Sequence, residues 1–459
     1  MHRHDDDAEV LAADIFAYTL QRLRLQPPPL DHPRSPAELR AAVGTTITPD
    51  GLGGAEALRR FTEVLAPACL SIDHPMYLAF VPGAPTEAAT LFDVVVSASN
   101  IYAGSWLEGA GAVHAENEAI AWLAEAAEFP ATAGGTFVSG GTAGNLSALL
   151  AARWVWRHRA GGVHDRSRGL VLTSSGAHSS VAQAAQVMDV DVVMAPAEWP
   201  GRLTRASLER AIADLSPTDR QRVFAVVATA GTTNVGIIDD LGAAADAAAE
   251  LGAWCHVDGA YGGAGLIAPS VRRRYDGIER AHSFIVDPHK WLFAPFDACA
   301  IVYRDPDLAR AAHTQRAEYL DALHEGDRDE GRNPSDLAHH LTRRARGLPL
   351  WFSLAVHGTR AYAEAVEVTL RVTQEAARLI EAAPHLDLLV TPELSVLTFR
   401  RRGWTPERYR QWCDDLLDAG VAFVMPTSFD GETVLRLCIV NPLTTSDQLA
   451  RLFDLLASE

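Results

Sequence analysis

The feature that most constrains the fold is an alternation of short β-rich runs with alanine-rich stretches between residues 135 and 304. Runs rich in Val, Ile and Ala without a clean two-residue alternation are typical of strands that are buried on both faces. Strands of this kind that are joined by helices form a mostly parallel sheet. The sequence therefore predicts a large α/β unit with a seven-stranded sheet built from GTFVSG, GLVLTS, DVDVVMAP, VFAVVATA, AWCHVDGA, HSFIVDP and ACAIVYR.

The sequence pattern differs from this alternation on each side of the unit. Apolar residues recur at helical spacing from Ala8 to Leu25, stop at the run PPPLDHP, and recur again around Gly54–Leu65. After residue 350 a long helix, at about 355–382, is followed by mixed strands and helices, which is typical of a small α+β domain. We predict an N-terminal helical arm (1–75) that packs on another domain or subunit, a large α/β domain (76–354) and a small C-terminal domain (355–459).

Charge and composition argue against several classes of function. Lys and Arg number 40 against 58 Asp and Glu, a net charge of −18, whereas binding to nucleic acid or to an anionic membrane surface needs clustered positive charge. No apolar run approaches the ~20 residues that cross a bilayer, and the first residues do not resemble a secretory signal. The 5 cysteines are scattered and form no CxxC pair, which predicts reduced thiols in a cytoplasm and no metal site.

Residues with the potential for chemistry follow the predicted strands, and ligands of parallel sheets bind beyond the carboxyl ends of the strands. The glycine-rich run 140–145 opens a helix and is suited either to a phosphate or to a plain tight turn. Asp258 and Lys290 each end an apolar run, and we expect burial to lower the pKa of Lys290 and make its amine nucleophilic. A phosphate cradle, a carboxylate for a pyridine nitrogen and an amine for an aldehyde are what pyridoxal 5'-phosphate (PLP) requires.

The run SFIVDPHK (283–290) resembles the lysine motif of the group II PLP-dependent decarboxylases, the family of aromatic L-amino-acid and glutamate decarboxylases. Other stretches agree with this family in order and spacing, so the resemblance covers nearly the whole chain. They are HPMYLAFVPGAP (74–85), FVSGGTAGNLSALLAAR (137–153), GAHSSVAQAA (176–185), ATAGTT (228–233), HVDGAYGG (256–263) and VLRLCIVNPLTT (434–445). The resemblance implies PLP fold type I, the aspartate-aminotransferase fold, in a homodimer with active sites at the subunit interface. The implied reaction is decarboxylation of an L-amino acid.

The resemblance also implies roles for particular residues. Lys290 would hold the cofactor as a Schiff base, Asp258 would keep the pyridine nitrogen protonated, and His178 would stack on the ring near the substrate carboxylate. Asp287 stands where eukaryotic relatives often carry Asn, so its role on the phosphate side stays open. The remaining cofactor contacts would come from Gly141, Thr142, Thr229, Ala260 and His289.

The polar segment 317–336 has little apolar periodicity and is expected to form a mobile loop. Its Tyr319 is similar in position to the tyrosine on the family's catalytic loop, which protonates the α-carbon after CO2 leaves. Relatives that make aldehydes tend to have Phe at this place. Tyr319 therefore favours simple decarboxylation; the alternative is that it only anchors the loop.

The candidate substrate pocket is apolar and aromatic. It comprises residues 80–83, of which Phe80 is the substrate-binding candidate, together with Tyr102 and Trp106, expected from the partner subunit. Such a lining favours an aromatic or apolar side chain over glutamate, whose carboxylate would need a paired cation. Gly83 replaces the threonine that is common in animal aromatic decarboxylases, which we expect to enlarge the pocket. For Arg436 we favour a structural role over binding of a substrate carboxylate.

Three other functions compete with this interpretation. An aldehyde synthase or another carbon–carbon lyase would use the same cofactor, and product analysis distinguishes these from a decarboxylase. A Rossmann oxidoreductase would need G-x-G-x-x-G after its first strand, where this chain has GGTAGN. A PLP-binding regulator without turnover is not supported by any appended basic or helix-turn-helix segment.

Overall fold

The computed structural model describes residues 2, 4–159, 168–320 and 332–457, with the exception of the Tyr319 side chain. The N-terminal segment forms helices on both sides of the proline-rich stretch, as predicted. Its α-helices are α1 (Asp6–Leu23), α2 (Pro36–Val43) and α3 (Gly54–Arg60). The Asp5 side chain caps α1 by accepting from the backbone N–H of Ala8, and Ser35 and Glu38 form a capping box that begins α2.

The large unit contains the predicted seven-stranded sheet. Its strands are β1 (Gly134–Val138), β2 (Leu170–Ser174), β3 (Asp191–Ala195), β4 (Val223–Thr229), β5 (Trp254–Asp258), β6 (Ser283–Val286) and β7 (Cys299–Tyr303). Their spatial order is β1-β7-β6-β5-β4-β2-β3, and of these strands β7 alone runs antiparallel to its neighbours. The predicted mostly parallel sheet of fold type I is confirmed.

Helices pack around this sheet. They are α4 (Glu87–Ser99), α5 (Trp106–Ala126), α6 (Gly141–Arg159), α7 (Ser179–Met188), α8 (Arg205–Asp214), α9 (Pro217–Arg222), α10 (Leu241–Leu251), α11 (Pro288–Trp291) and α12 (Pro306–His313). A Cβ on Gly144 would lie 2.9 Å from the Ile285 side chain and 3.0 Å from Cys299 Sγ. Glycine at this position therefore allows α6, which starts directly behind β1, to lie close against β6 and β7.

The C-terminal part forms a second, antiparallel sheet in the order β10-β11-β9-β8. Its elements are α13 (Leu348–His357), α14 (Thr359–Ala382), β8 (Leu386–Val390), β9 (Val396–Arg401), α15 (Pro406–Asp418), β10 (Met425–Phe429), β11 (Glu432–Cys438) and α16 (Ser446–Leu455). Met76 and Leu78 pack in the core of this part, and the backbone N–H of Leu78 donates to Phe423 O, while its carbonyl oxygen accepts from the N–H of Cys438. The chain therefore contacts the small sheet before it enters the large unit.

The prediction of a single long helix at about 355–382 is wrong at its N-terminal end. Gly358 has φ +77° and separates α13 from α14, which begins only at Thr359. The sequence also did not reveal β8 and β10, the two edge strands of the small sheet. Only the end residues of β8 and none of β10 are buried, so neither strand shows a clean two-residue alternation.

The five cysteines are all free thiols, and Cys69 alone among them is exposed. Of the helices that the structure describes, none is both long enough and apolar enough to cross a membrane.

Candidate active site

Three neighbouring strands deliver the candidate residues to one edge of the sheet. In the register of β4, β5 and β6, Thr229 pairs with Asp258 and Asp258 pairs with Ile285. Asp287 follows β6 directly, and Lys290 lies in the single turn of α11 behind it. Thr229, Asp258 and Asp287 are each at most 4% exposed. Parallel strand ends have therefore brought together the carboxylates and the amine that the sequence predicts there.

Lys290 forms an ion pair with Asp287, with 2.8 Å between Nζ and Oδ2. Burial lowers the pKa of Lys290, but the charges of Asp287 and Asp258 and the hydrogen bond to Asp287 outweigh it, so the pKa lies above its ordinary value. Our expectation of a lowered pKa is therefore wrong for the chain without its cofactor. The reason is that sequence reasoning counted the desolvation of the lysine and missed the carboxylate three residues before it.

The glycine-rich loop lies directly beside this ion pair. A Cβ on Gly141 would sit 3.1 Å from Ala260 Cβ and 3.3 Å from Asp287 Oδ2, and one on Gly140 would sit 3.9 Å from the His289 ring. Thr142 follows in the exposed first turn of α6. Burial is the main cause that lowers the pKa of His289, and its Nδ1 lies 2.7 Å from the carbonyl oxygen of Ala298. Backbone N–H groups at the start of α6 can thus face an anion without obstruction from side chains.

His178 is exposed and is the N-cap residue of α7. Its Nδ1 lies 2.8 Å from Ser180 Oγ and accepts from the backbone N–H of Ser180 at 3.2 Å. Ser180 Oγ in turn accepts from Asn145 Nδ2 at 2.8 Å, and the same nitrogen donates to Asp258 Oδ2 at 2.8 Å. A hydrogen-bonded path therefore joins His178 to Asp258.

Sequence reasoning did not identify Asn145, Ser180 or His256, although the structure connects all of them to Asp258. A signal for His256 was available, because it is a polar residue inside a strand predicted to be buried on both faces. Asn145 and Ser180 lie in helices, where a single polar residue gives no comparable signal. A second signal that we did not use is that Lys290 is the only lysine in the chain.

A family model described as "Pyridoxal-dependent decarboxylase conserved domain" matches residues 47–402. The chain belongs to this family. It is therefore a PLP-dependent carboxy-lyase of the group II decarboxylases, as the motifs suggested.

Individual relatives agree with this assignment. The decarboxylase is 33% identical to L-2,4-diaminobutyrate decarboxylase of Rhizobium meliloti (strain 1021), over 88% of this chain and 81% of the relative. It is 28% identical to aromatic-L-amino-acid decarboxylase of Bacillus atrophaeus, over 90% of this chain and 87% of the relative. The crystal structure of Oryza sativa TDC with PLP and tryptamine superposes with a TM-score of 0.91 and 25% identity, covering 100% of this chain and 98% of that one.

The residues of this decarboxylase fit PLP. Thr229 Oγ1 and Asp287 Oδ1 are buried and have no hydrogen-bond partner within the described part of the chain, so both are available to a bound group. Lys290, whose side chain is 25% exposed, provides the amine that an aldehyde needs. An added Cβ on Gly140 would meet its nearest atom only at 3.9 Å, so the loop has room for a phosphate there, and Asp258 is a buried carboxylate of the kind that a pyridine nitrogen needs.

The pocket segment 80–83 of the decarboxylase touches the lysine turn. A Cβ on Gly83 would overlap the carbonyl oxygen of His289. This contact gives a reason for glycine other than an enlarged pocket, since any side chain there would push the segment away from Lys290. Phe80 has φ +54° and is 61% exposed, and its carbonyl oxygen accepts from Arg436 Nη1 at 2.6 Å. Arg436 Nε also donates to Thr233 O at 2.8 Å, so Arg436 links two loops at this edge.

Tyr102 and Trp106 lie on a different segment from Phe80. The Tyr102 hydroxyl donates to the carbonyl oxygen of Leu341 at 3.3 Å, and the backbone N–H of Trp106 donates to Asn333 Oδ1 at 2.8 Å. Tyr102 therefore contacts the segment that follows the predicted mobile loop, and Trp106 contacts the last residues of that loop. Residues 321–331 of that loop lie outside the described residues. Tyr319 lies in the short turn Glu318–Leu320, but its side chain is also outside what the structure describes.

Proposed function

We propose that this decarboxylase converts an L-amino acid with an aromatic or apolar side chain to the corresponding amine and CO2. The observation that carries the proposal is the contact of the apolar segment 80–83 with the turn that bears Lys290. The exposed Phe80, three residues before this contact, favours a substrate side chain without charge, because a charged group would lose hydration there without gaining a partner.

The chain's own residues prepare the site for this reaction. When bound, PLP supplies an electron-accepting ring that stabilises the negative charge left on the α-carbon when CO2 departs. Lys290 is proposed to hold the cofactor covalently through Nζ. Asp258, held by Asn145 and by the backbone N–H of Ala260, is proposed to keep the pyridine nitrogen protonated.

His178 and Tyr319 are proposed to act on the substrate itself. His178 Nε2 is positioned as a hydrogen-bond donor to the substrate carboxylate. Tyr319 is proposed to deliver the proton that the α-carbon accepts once CO2 has left, which completes the amine. Without this proton donor the electron-rich α-carbon would persist long enough for dissolved O2 to take two electrons from it, with aldehyde, ammonia and hydrogen peroxide as products, and this would be the physical reason that a Phe here favours aldehyde formation.

A second substrate class has specific support. The relative with 33% identity is named for L-2,4-diaminobutyrate, whose side chain is an amine. That substrate would require a carboxylate at the far end of the pocket to pair with its ammonium group. The two classes therefore differ in charge, so that a direct comparison of a phenylalanine-type and a diamino substrate separates them.

We further propose that the decarboxylase is a homodimer whose partner completes each site. Leu91, Val95 and Val356 are 38–53% exposed around a cavity of about 600 Å³ between α4 and α13, beside the stacked rings of Phe92 and Phe352. An exposed apolar patch of this kind is typical of a surface that another chain covers. Helix α1 also exposes Val10, Phe16 and Leu20, as expected of an arm that packs on a partner.

The experiment is to load the purified enzyme with PLP, offer each standard amino acid and L-2,4-diaminobutyrate, and assay CO2, amine and aldehyde. One aromatic or apolar amino acid yielding equal amounts of CO2 and amine supports the proposal. Turnover of diaminobutyrate alone would overturn the substrate class, and aldehyde as the main product would overturn the reaction type.

Two variants sharpen this experiment. Lys290→Ala removes the only lysine and is expected to abolish both the visible absorbance of bound cofactor and CO2 release. Tyr319→Phe is expected to retain CO2 release while part of the product changes from amine to aldehyde. A Tyr319→Phe variant that still makes amine alone would show that Tyr319 only anchors its loop.

A further inference from the structure

Seven side chains form one continuous hydrogen-bonded path from the start of β5 to the cap of α7. The indole N–H of Trp254 donates to Ser283 Oγ at 2.8 Å, and Ser283 Oγ lies 2.8 Å from His256 Nδ1. His256 Nε2 lies 2.9 Å from Asn145 Oδ1, and Asn145 Nδ2 reaches both Asp258 and Ser180 at 2.8 Å. The path ends at His178 Nδ1, 2.8 Å from Ser180 Oγ. Apart from His178 at its end, every member is buried.

The chemistry of the groups decides the direction of each hydrogen bond. An ionised Asp258 can only accept, so the amide nitrogen of Asn145 must face it and the amide oxygen must face His256. His256 Nε2 must then carry the proton and donate, which leaves Nδ1 to accept from the hydroxyl of Ser283. Ser283 Oγ can accept from the indole of Trp254 at the same time. Burial lowers the pKa of His256 to about 4, which agrees with a neutral ring.

The other branch fixes the state of His178. The amide nitrogen of Asn145 donates its second hydrogen to Ser180 Oγ. Ser180 Oγ is the acceptor in that bond, so its own hydroxyl hydrogen is free to be donated to His178 Nδ1. The backbone N–H of Ser180 points at the same nitrogen from 3.2 Å. Two donors on Nδ1 require that this nitrogen carries no proton. A neutral His178 therefore has its proton on Nε2, the ring nitrogen for which the described residues offer no partner.

We infer that Asn145, Ser180 and His256 are positioning residues that tie the ionised state of Asp258 to the Nε2–H tautomer of His178. The inference deepens the proposed function and rests on it, because it assigns His178 the donor that a substrate carboxylate needs and Asp258 the charge that a protonated pyridine needs. Asn145 is the branch point, since among the described residues its amide alone contacts all three of His256, Asp258 and Ser180.

The test is to read the histidine tautomers directly by two-bond ¹H–¹⁵N correlation spectra of deuterated protein with ¹⁵N-labelled imidazole rings, with and without PLP. The chain has 17 histidines, so His178→Gln and His256→Gln assign the two signals. We expect both rings in the Nε2–H form in the wild type. Ser180→Ala leaves His178 Nδ1 only the longer contact with the backbone N–H at 3.2 Å, so His178 should shift from one tautomer to a mixture while His256 stays unchanged. Asn145→Ala should alter both rings.

Matched variants keep the result interpretable. Ser147→Ala removes another buried hydroxyl from α6, one that contacts His339 instead, and should leave both signals unchanged. Ser180→Ala is also expected to lower kcat. Ser180→Thr keeps the hydroxyl and should return both the His178 tautomer and kcat to the wild-type values. If His178 shows the same tautomer in Ser180→Ala and Asn145→Ala as in the wild type, or is Nδ1–H from the start, the inference is wrong. Failure of the proposed function would instead appear as an absence of CO2 release from the wild type, with these spectra unaffected.

Discussion

At the scale of single residues, the ion pair between Lys290 and Asp287 controls how readily the amine reacts. Because Asp287 contributes both charge and a hydrogen bond that raise the pKa of Lys290, replacing it with Asn should lower that pKa. At pH 7 the neutral fraction of the amine, which is the nucleophile, then rises by about tenfold for each unit that the pKa falls. We predict that Asp287→Asn captures pyridoxal faster at pH 7, and that the rates of the two proteins converge at a pH above both pKa values.

The measurement uses pyridoxal without its phosphate, so that altered phosphate binding does not contribute, and borohydride reduction followed by mass spectrometry. Because Lys290 is the only lysine, peptide mapping separates its adduct from that of the N-terminal amine. Asp297→Asn, which removes a carboxylate paired with Arg346 on a nearby segment, is the control and should behave like the wild type. Equal rates for Asp287→Asn and the wild type at pH 7 would contradict the prediction.

Gly83 is a second residue at which a single added methyl group should affect cofactor binding. Its missing Cβ allows the pocket segment to touch the carbonyl oxygen of His289, directly before Lys290. Gly83→Ala should displace the lysine turn and weaken PLP affinity by at least about tenfold, which titration of the cofactor absorbance measures. Gly111→Ala is the control, because a Cβ there meets no atom within 4 Å and alanine favours the helix. Normal PLP binding by Gly83→Ala would mean that the contact does not position the lysine.

At the scale of secondary-structure elements, a buried ion pair connects α5 to the segment that follows residue 331. Arg343 donates to both carboxylate oxygens of Glu116, at 2.6 and 2.8 Å, and the two side chains are 0% and 2% exposed. Glu116 also accepts from the backbone N–H of Gly347 at 2.7 Å. The pair therefore fixes the segment that carries Leu341, the hydrogen-bond partner of Tyr102, to helix α5.

Glu116→Gln should lower the free energy of unfolding by about 3 kcal/mol, because it leaves the Arg343 charge buried without its counter-charge. Urea unfolding followed by circular dichroism measures the change. Glu407→Gln, which removes an exposed ion pair with Arg410, should produce no measurable change. The double variant Glu116→Leu/Arg343→Met should recover much of the loss, and a loss as large as that of the single variant would contradict this account.

At the scale of the whole molecule, the apolar surface between α4 and α13 predicts the assembly. Leu91→Asp with Val95→Asp would place charges in the proposed subunit interface, so sedimentation velocity should show one chain in place of two, together with loss of CO2 release. Leu443→Asp changes an apolar residue that is 65% exposed elsewhere and should leave a dimer. A wild type that sediments as a single chain while remaining active would overturn the proposed dimer.

The amino-acid sequence by itself determined the seven strands, the mostly parallel sheet and the family, because buried parallel strands and their Gly-, Asp- and Lys-bearing ends are local patterns. It also placed Asp258 at the end of one strand and Lys290 shortly after the next, where the structure has them. The raised pKa of Lys290, the contact of Gly83 with His289 and the path from His256 through Asn145 to His178 were decided only by the tertiary structure. The Gly83 contact and the path to His178 depend on groups that are distant in sequence meeting at the sheet edge, and the pKa of Lys290 depends on its side chain turning back onto Asp287 three residues earlier. Hydrophobic periodicity carries no information about which polar atoms come within hydrogen-bond distance.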